Sequence, residues 1–463
     1  MTSWDHPDAE LERVPRAVAS SRSSLEAAPA QPTLAGGSSG DGSGPPRVLS
    51  RAERTKRAKR YRRRRIMVVI GAVLLVFLAW LGYSLGSALT NPSLGSSMSA
   101  RFAEWGRGHH LGSVVSWVEK EWYALNPPKT GGKPPKDAFA KTKAHAVSTM
   151  PASCPGALPA PTAVVSPVTP ALPGEGAWAP IARLSAGCPA LYEAFVRPDD
   201  VHTSYVAGIV WMDPKLLSFT LYSGSQVPGG GPYTHTAPIT SSAAETLMSA
   251  FNAGFLPGDS QGGYYTDGKT IIPLVPGGAS AVIYKDGTMN VGAWGSDVRM
   301  TPDVVSVRQN LDLIVDNGAE VPGLLANDNS KWGQTLGGSA FVWRSGLGIT
   351  ANGAIVYVGG PSLSITDLAD LLVRAGAVRA MELDINTDWV QYSYYTPTVG
   401  EPASPANGQA LISGMGDTSD GQARYFANWW VRDFFTTSAR YKANGTMSSS
   451  ITSSSSTSTT QKP

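Results

Sequence analysis

Twenty-four consecutive residues without a charge, IMVVIGAVLLVFLAWLGYSLGSAL from Ile66 to Leu89, constrain this chain more than any other feature. Roughly 20 apolar or small residues in helical form cross the roughly 30 Å hydrocarbon core of a bilayer. The run therefore reads as a transmembrane helix. A cleaved signal peptide starts near the first residue and has a shorter apolar stretch ending in a small-residue cleavage site, whereas this run begins after 65 residues. An uncleaved anchor is expected.

Directly before it stands RVLSRAERTKRAKRYRRRR, Arg47 to Arg65. By itself such a cluster reads as a nucleic-acid patch. Beside a bilayer it sets orientation and attracts anionic lipid, so the N-terminus is expected to be cytoplasmic, everything after about residue 90 to lie outside, and no nucleic acid to be a partner. Met1 to Arg65 holds 14 Lys/Arg against 7 Asp/Glu, so the formal net charge of +3 hides a negative remainder.

The 463 residues suffice for one large domain or two ordinary ones. Met1 to Pro46 is rich in Ser, Ala, Gly and Pro, and with the basic run forms an expected disordered tail over 1–65. After the anchor (66–89), Phe102, Trp105, Leu111, Val114, Val115, Val118 and Trp122 recur at helical spacing, which predicts a membrane-proximal amphipathic helix over 97–125. Its aromatics can sit at the lipid interface or pack on the domain. Residues 126–176 form a Pro-rich stretch, expected to be a spacer, and 448–463 a disordered Ser/Thr tail. Two cysteines occur, Cys154 and Cys188, which are either a disulfide in an exported segment or two buried thiols.

The folded unit is then 177–441. VAGIVWM and LLSFTLYS around DPK suggest a hairpin, SSAAETLMSA (Ser241 to Ala250) a helix capped by Ser241 or Ser242, and SAVIYKDGTMNVGAW a second hairpin. Later, a strand, the helix SITDLADLLVRAGAV and another strand imply a crossover connection. Ser364 with Asp367 makes a capping box, and Gly376 a stop. The expected fold is α+β (mixed α/β): one ectodomain with a mixed twisted sheet and packed helices.

The strand after that helix reads AMELDINTDW. Alternation places Met381, Leu383 and Ile385 on one face and Glu382, Asp384, Asn386 and Asp388 on the other. Such a row of acids is a solvated edge, an oxygen-rich site for Ca2+ or another hard cation, or a pair of carboxyls of which one holds its proton. An EF-hand is excluded, because Trp389 and Tyr395 stand where it needs Gly and Glu. No GxSxG elbow, P-loop or dinucleotide fingerprint is present, so acid/base chemistry would fall to carboxylates.

FNAGF after Ala250, the KDG hairpin, WRSGLGITANGAIVYVGG, a helix and AMELD follow in an order that resembles the phosphodiester glycosidase family, over roughly Ala177 to Tyr395. The family's Asn-Gly-Gly-Phe motif corresponds to Asn252, Ala253, Gly254 and Phe255, its Arg-x-x-x-Gly strand to Arg344 to Gly348, and the Asp of its Leu-Asp-Gly-Gly-Gly-Ser motif to Asp384. The Gly-Gly-Gly-Ser itself is replaced by Ile385, Asn386, Thr387 and Asp388. The resemblance implies a hydrolase acting on a glycosyl phosphodiester or related envelope glycan. Asn252, Gly254, Arg344, Asn386 and Asp388 would bind substrate, with Arg344 on the phosphate, and Asp384 and Glu382 would do the acid/base work, one raising the pKa of the other. A non-catalytic glycan-binding or envelope-assembly protein is the alternative, with Trp389, Tyr392, Tyr394 and Tyr395 either a sugar-stacking surface or core.

Overall fold

The computed structural model describes residues 50–95, 97–139, 154, 156–324, 332, 341–385, 387–416 and 421–440. Of the disordered tail expected over 1–65, residues 1–49 lie outside the described residues, as does the tail at 448–463. The basic run Arg51–Arg65 is not disordered but helical, since its Arg, Lys and Ala residues are good helix formers continuous with the apolar run. The chain divides into two compact units, Met1–Leu75 and Val76–Pro463.

Helix α1, Arg51–Thr90, contains both the basic cluster and the apolar run. Ser50 and Glu53 start it by reciprocal bonds: Glu53 N donates to Ser50 Oγ at 3.2 Å, and Ser50 N to Glu53 Oε2 at 2.9 Å. Among the described residues it is the one helix long and apolar enough to cross a membrane, and its apolar window is not buried by protein. A helix that is apolar all round and uncovered suits lipid.

In place of one amphipathic helix the chain makes two, α2 (Met98–Gly108) and α3 (Gly112–Leu125). Ser97 caps α2 through Ala100 N at 3.1 Å, and His110 at φ 62° breaks the path between the helices.

Among the described residues eighteen strands follow. β1 (Ala179–Ile181), β2 (Leu191–Val196), β3 (Ala207–Met212), β4 (Leu217–Tyr222), β5 (Leu247–Asn252), β6 (Tyr264–Thr266) and β7 (Lys269–Ile272) come first. β8 (Ala279–Tyr284), β9 (Met289–Ala293), β10 (Val304–Gln309), β11 (Leu313–Asp316), β12 (Ala319–Glu320) and β13 (Val342–Thr350) come next. β14 (Ile355–Leu363), β15 (Ala377–Ile385), β16 (Tyr392–Tyr395), β17 (Gly408–Ala410) and β18 (Phe434–Ala439) complete them. Short helices α4 (Ser241–Ala244) and α5 (Pro257–Ser260) flank β5, and α6 (Ile365–Arg374) links β14 to β15.

The strands form an eight-stranded sheet, β1-β2-β3-β14-β13-β15-β11-β12, and two five-stranded sheets, β7-β6-β10-β8-β9 and β17-β16-β5-β18-β4. The α+β class holds, but the expected single mixed sheet is corrected: the paired strands of all three sheets run antiparallel. β14 and β15 do point the same way with α6 crossing between them. β13 lies between the two and pairs antiparallel with each, so the crossover creates no parallel ladder. Residues from all three sheets share one apolar core, among them Leu191, Val210, Leu383, Val291, Phe251 and Tyr392.

Local signals held where the partners were local. The KDG hairpin is β8 with β9. On α6, Asp367 N donates to Ser364 Oγ at 3.0 Å and Ser364 N to Asp367 Oδ2 at 2.8 Å, while Leu368, Leu371 and Leu372 seat the helix on the large sheet. Gly376 closes the helix at φ 90°.

Two expectations fail. Ser241–Ala250 is not a helix: α4 is a single turn capped by Thr240, and Leu247 onward is β5, held between β16 and β18 with all six residues buried. A strand buried on both faces shows no alternation, so its sequence does not separate it from a buried helix. β3 and β4 are not a hairpin either, because DPK turns a corner between two sheets, with Asp213 carboxylate oxygens accepting from Lys215 N and Leu158 N, each at 2.8 Å.

The Pro-rich stretch is packed rather than free toward its end. Val164 and Val168 are buried, and Glu175 forms an ion pair with Arg197 at 2.8 Å. Cys154 and Cys188 form a disulfide across 34 residues of separation. In the chain-entropy picture a loop of that length stabilises by about 3–4 kcal/mol. Cys154→Ser/Cys188→Ser is therefore expected to lower the unfolding temperature of the detergent-solubilised chain markedly, with native fluorescence at 25 °C retained.

Candidate functional site

β15 is an interior strand, between β13 and β11, so the solvated-edge reading of AMELDINTDW is overturned. Glu382 is 1% exposed and Asp384 3%. Carboxylates at that depth need compensating charge or a proton.

Glu382 gets its partner from the adjacent strand. Its Oε1 lies 2.5 Å from Arg344 Nη1, and Arg344 Nε donates to Leu363 O at 2.9 Å. The register shifts here, with Arg344 opposite Ile385 and Gly346 opposite Glu382. Burial raises the Glu382 pKa and Arg344 opposes the rise. Glu382 Oε2 has no hydrogen-bond partner among the described residues.

Asp384 is held differently. Its Oδ1 accepts from Ile385 N at 2.8 Å, and its Oδ2 stands 3.7 Å from Arg432 Nη1. Burial lifts its pKa to about 7, against the pull of Arg432. Glu382 is not among the causes, which corrects the expected mutual shift of the two carboxyls. Arg432 stacks over Trp389 at 4.1 Å, and its buried Nη1 makes no hydrogen bond among the described residues.

The Asp384 backbone is pinned from the neighbouring sheet. Asn252, at the end of β5, donates through Nδ2 to Ser345 Oγ at 3.0 Å, and Ser345 Oγ donates to Asp384 O at 3.1 Å. Asn252 Oδ1 accepts from Tyr357 OH and Gln391 N, both at 3.1 Å. The amide thus holds Asp384 in place through Ser345, with its oxygen engaged inside the protein.

Gly254 also serves packing. A Cβ there would lie 3.1 Å from Asn310 Oδ1 and 3.4 Å from Arg308 Nη2. Asn310 in turn donates to Glu382 O at 2.8 Å and Leu383 O at 3.0 Å, and accepts from Phe255 N at 3.1 Å. Arg308 pairs with Asp433 at 2.6 Å and donates to Gln309 O and Phe255 O.

β10, β13, β15 and the two residues just before β18 therefore bring together Arg308, Arg344 and Arg432 with Glu382, Asp384 and Asp433, all buried. Residue patterns alone missed Arg308, Asn310, Ser345, Arg432 and Asp433. The available signal was a charged pair inside an aromatic run, WWVRDFF, and an arginine within the apolar strand VVSVRQ.

Other expectations separate. Asn386 lies outside the described residues. Asp388 is buried and its carbonyl accepts from Arg424 at 2.7 Å. Trp389, Tyr392, Tyr394 and Tyr395 are all buried, so they are core and not an exposed stacking surface. No group of three His, Cys, Asp or Glu is placed to hold a metal ion among the described residues.

Helices α2 and α3 approach this cluster. Glu104 on α2 acts on the Asp384 carboxyl. Tyr123 on α3 packs against Phe255, Leu311, Val342 and Ile385, and burial, followed by Glu119 and Asp388, pushes its hydroxyl to about 12.

No protein-family profile and no curated protein matches the chain. Among solved structures, it has a weak similarity to the zebrafish N-acetylglucosamine-1-phosphodiester alpha-N-acetylglucosaminidase catalytic domain auto-inhibited by its pro-peptide. There the TM-score is 0.35 at 15% identity, covering 54% of this chain and 84% of that one. A hypothetical protein from Synechocystis gives 0.28 at 13% identity, over 57% and 64%. A putative exported protein from Burkholderia pseudomallei gives 0.26 at 14%, over 50% and 74%. Likenesses at that level carry no functional argument.

Proposed function

We propose that this chain is a membrane-anchored hydrolase whose ectodomain, outside the cytoplasm, cleaves a sugar from a glycosyl phosphodiester or a related envelope glycan. The observation that carries this reading is Asp384, with a pKa of about 7, standing beside a buried Arg432 Nη1 that has no hydrogen-bond partner among the described residues. A carboxyl poised near neutrality is suited to proton transfer, and a guanidinium N–H that makes no hydrogen bond among those residues, though it stands 3.7 Å from Asp384, is suited to a phosphate oxygen.

In this reading water attacks the anomeric carbon and gives its proton to ionised Asp384. The bond from that carbon to the phosphate oxygen breaks, and the electron pair leaves with a phosphomonoester. Such a group, with a second pKa of about 6, departs without a strong acid. Arg432 offsets the charge growing on it. Arg344, committed to Glu382 and Leu363 O, then supports the site instead of meeting the phosphate. Burial of Trp389, Tyr392, Tyr394 and Tyr395 favours the hydrolase over a glycan-binding module that stacks sugars on those rings.

The test is turnover of the full chain on a panel of glycosyl phosphodiesters, with and without chelator. Because the ionised form of Asp384 is the active one, kcat/KM is expected to rise with pH through an apparent pKa of about 7. Arg432→Ala is expected to lower kcat/KM by about 10–100-fold, the worth of a charged hydrogen bond. Release of no sugar from any member of the panel would leave the hydrolase reading without support.

A further inference from the structure

The last turns of α1 are not bare. Counting about 1.5 Å per residue from Ile66, a 30 Å core is crossed by about residue 85. There Trp105 Nε1 on α2 donates to Ser84 Oγ at 3.0 Å, and His109 Nε2 lies 3.1 Å from the same oxygen. The His109 ring is 5.8 Å from that of Trp80. Arg101 donates to Leu89 O at 3.0 Å and Gly95 O at 2.8 Å. α2 is thereby folded back beside the end of the apolar run.

α3 is held on α2 in turn. Val115 packs closely over Gly106, where a Cβ would come to 2.9 Å, and Arg107 pairs with Glu119 at 2.6 Å. Val115, Glu119 and Tyr123, spaced four apart, form the packed side of α3, with Tyr123 against the site's apolar rim. The opposite side carries Val114, Trp117 and Leu125, with Val118 and Trp122 on its flank toward the packed side, and Trp117 is 62%, Trp122 63% and Leu125 78% exposed. Exposed Phe102 on α2 adds a further apolar ring. An apolar face this rich in tryptophan, continuous with a membrane span, matches the headgroup boundary, where indole rings are favoured. Glu121 and Lys120 are also exposed, and the boundary leaves such charges solvated.

We infer that this outer face of α3 rests in the bilayer that α1 crosses and holds the rim of the Arg432–Asp384 site against the lipid, so that the substrate is a glycosyl phosphodiester carried on a membrane-embedded lipid. The docking stands on the helices alone, and the substrate class rests on the hydrolase reading above.

Both described native cysteines are in the disulfide, so single-cysteine labels are clean. The full chain, reconstituted in phosphatidylethanolamine/phosphatidylglycerol nanodiscs, would carry a nitroxide at Val118→Cys or Leu125→Cys, with Val399→Cys as an aqueous control. Labels at 118 and 125 are expected to collide with oxygen and to be shielded from a water-soluble nickel complex. Nickel access equal to the control would overturn the docking. Shielding from both quenchers would overturn it too, since protein, such as a second copy, would then cover the face. In the same nanodiscs, Trp117→Ser/Trp122→Ser should lower turnover of a polyprenyl glucosyl phosphate at least tenfold and leave methyl glucosyl phosphate turnover unchanged. Equal loss on both, or no preference of the unmodified chain for the lipid-linked compound, would overturn the substrate class. Hydrolysis of neither would remove the hydrolase reading and the substrate class with it, while the label data decide the docking independently.

Discussion

Asp384→Asn is expected to lower kcat/KM by at least about 100-fold, the usual worth of a general base, and at the same time to stabilise the protein above pH 7. The sign follows from burial. The carboxyl has a pKa of about 7 in the folded state against an ordinary aspartate's 3.8, so the native state holds a proton that the unfolded chain has released between those values. Stability from this group is full below about pH 4, falls as pH rises, and by about pH 7 has been lost, by roughly a few kcal/mol. An asparagine amide resembles the neutral carboxyl and does not titrate. Thermal unfolding of the two full-length proteins in detergent, from pH 5 to 8, should show the variant's advantage growing with pH. A variant that is inactive yet less stable at pH 8 would mean that Asp384 is held as a structural ion by Arg432, and not as a poised base.

Arg344→Met is expected to cost about 3–5 kcal/mol of stability, because it leaves Glu382 buried without its partner. Both side chains are 1% exposed, and the 2.5 Å contact between them is made away from solvent. Arg344→Met/Glu382→Leu should recover much of the loss, since removing both charges avoids the unpaired one. Denaturant unfolding of the three proteins measures this coupling. The opposite pattern, unchanged stability with turnover abolished in the single variant, would return Arg344 to the phosphate-binding role that the sequence resemblance implied. Arg432 would then be the structural member of the pair.

The residues of AMELDINTDW were legible as an alternating strand after a crossover helix, and Met381, Leu383 and Glu382 sit as alternation requires. That the acidic side was buried was not legible. Alternating polarity normally marks a wet face, and this one is dry because Arg344 comes from the neighbouring strand and Arg432 from 48 residues further along the chain. Asn252 and Gly254 were found by motif, but their expected task of meeting substrate became one of supporting Asp384 and Asn310.

By itself the sequence determined what short-range physics decides: a charge-free run long enough for a bilayer, the capping box of α6, the KDG turn of β8 and β9, and an even pair of cysteines. Each depends on residues within a few positions of one another or on composition alone. The tertiary structure decided the rest: that Leu247–Asn252 is a strand, that DPK turns between sheets, and that α2 folds back on α1. It also brought each buried carboxylate to its arginine. These outcomes depend on partners far away in the chain, where burial and pairing outweigh the small local preferences of a segment for helix or strand.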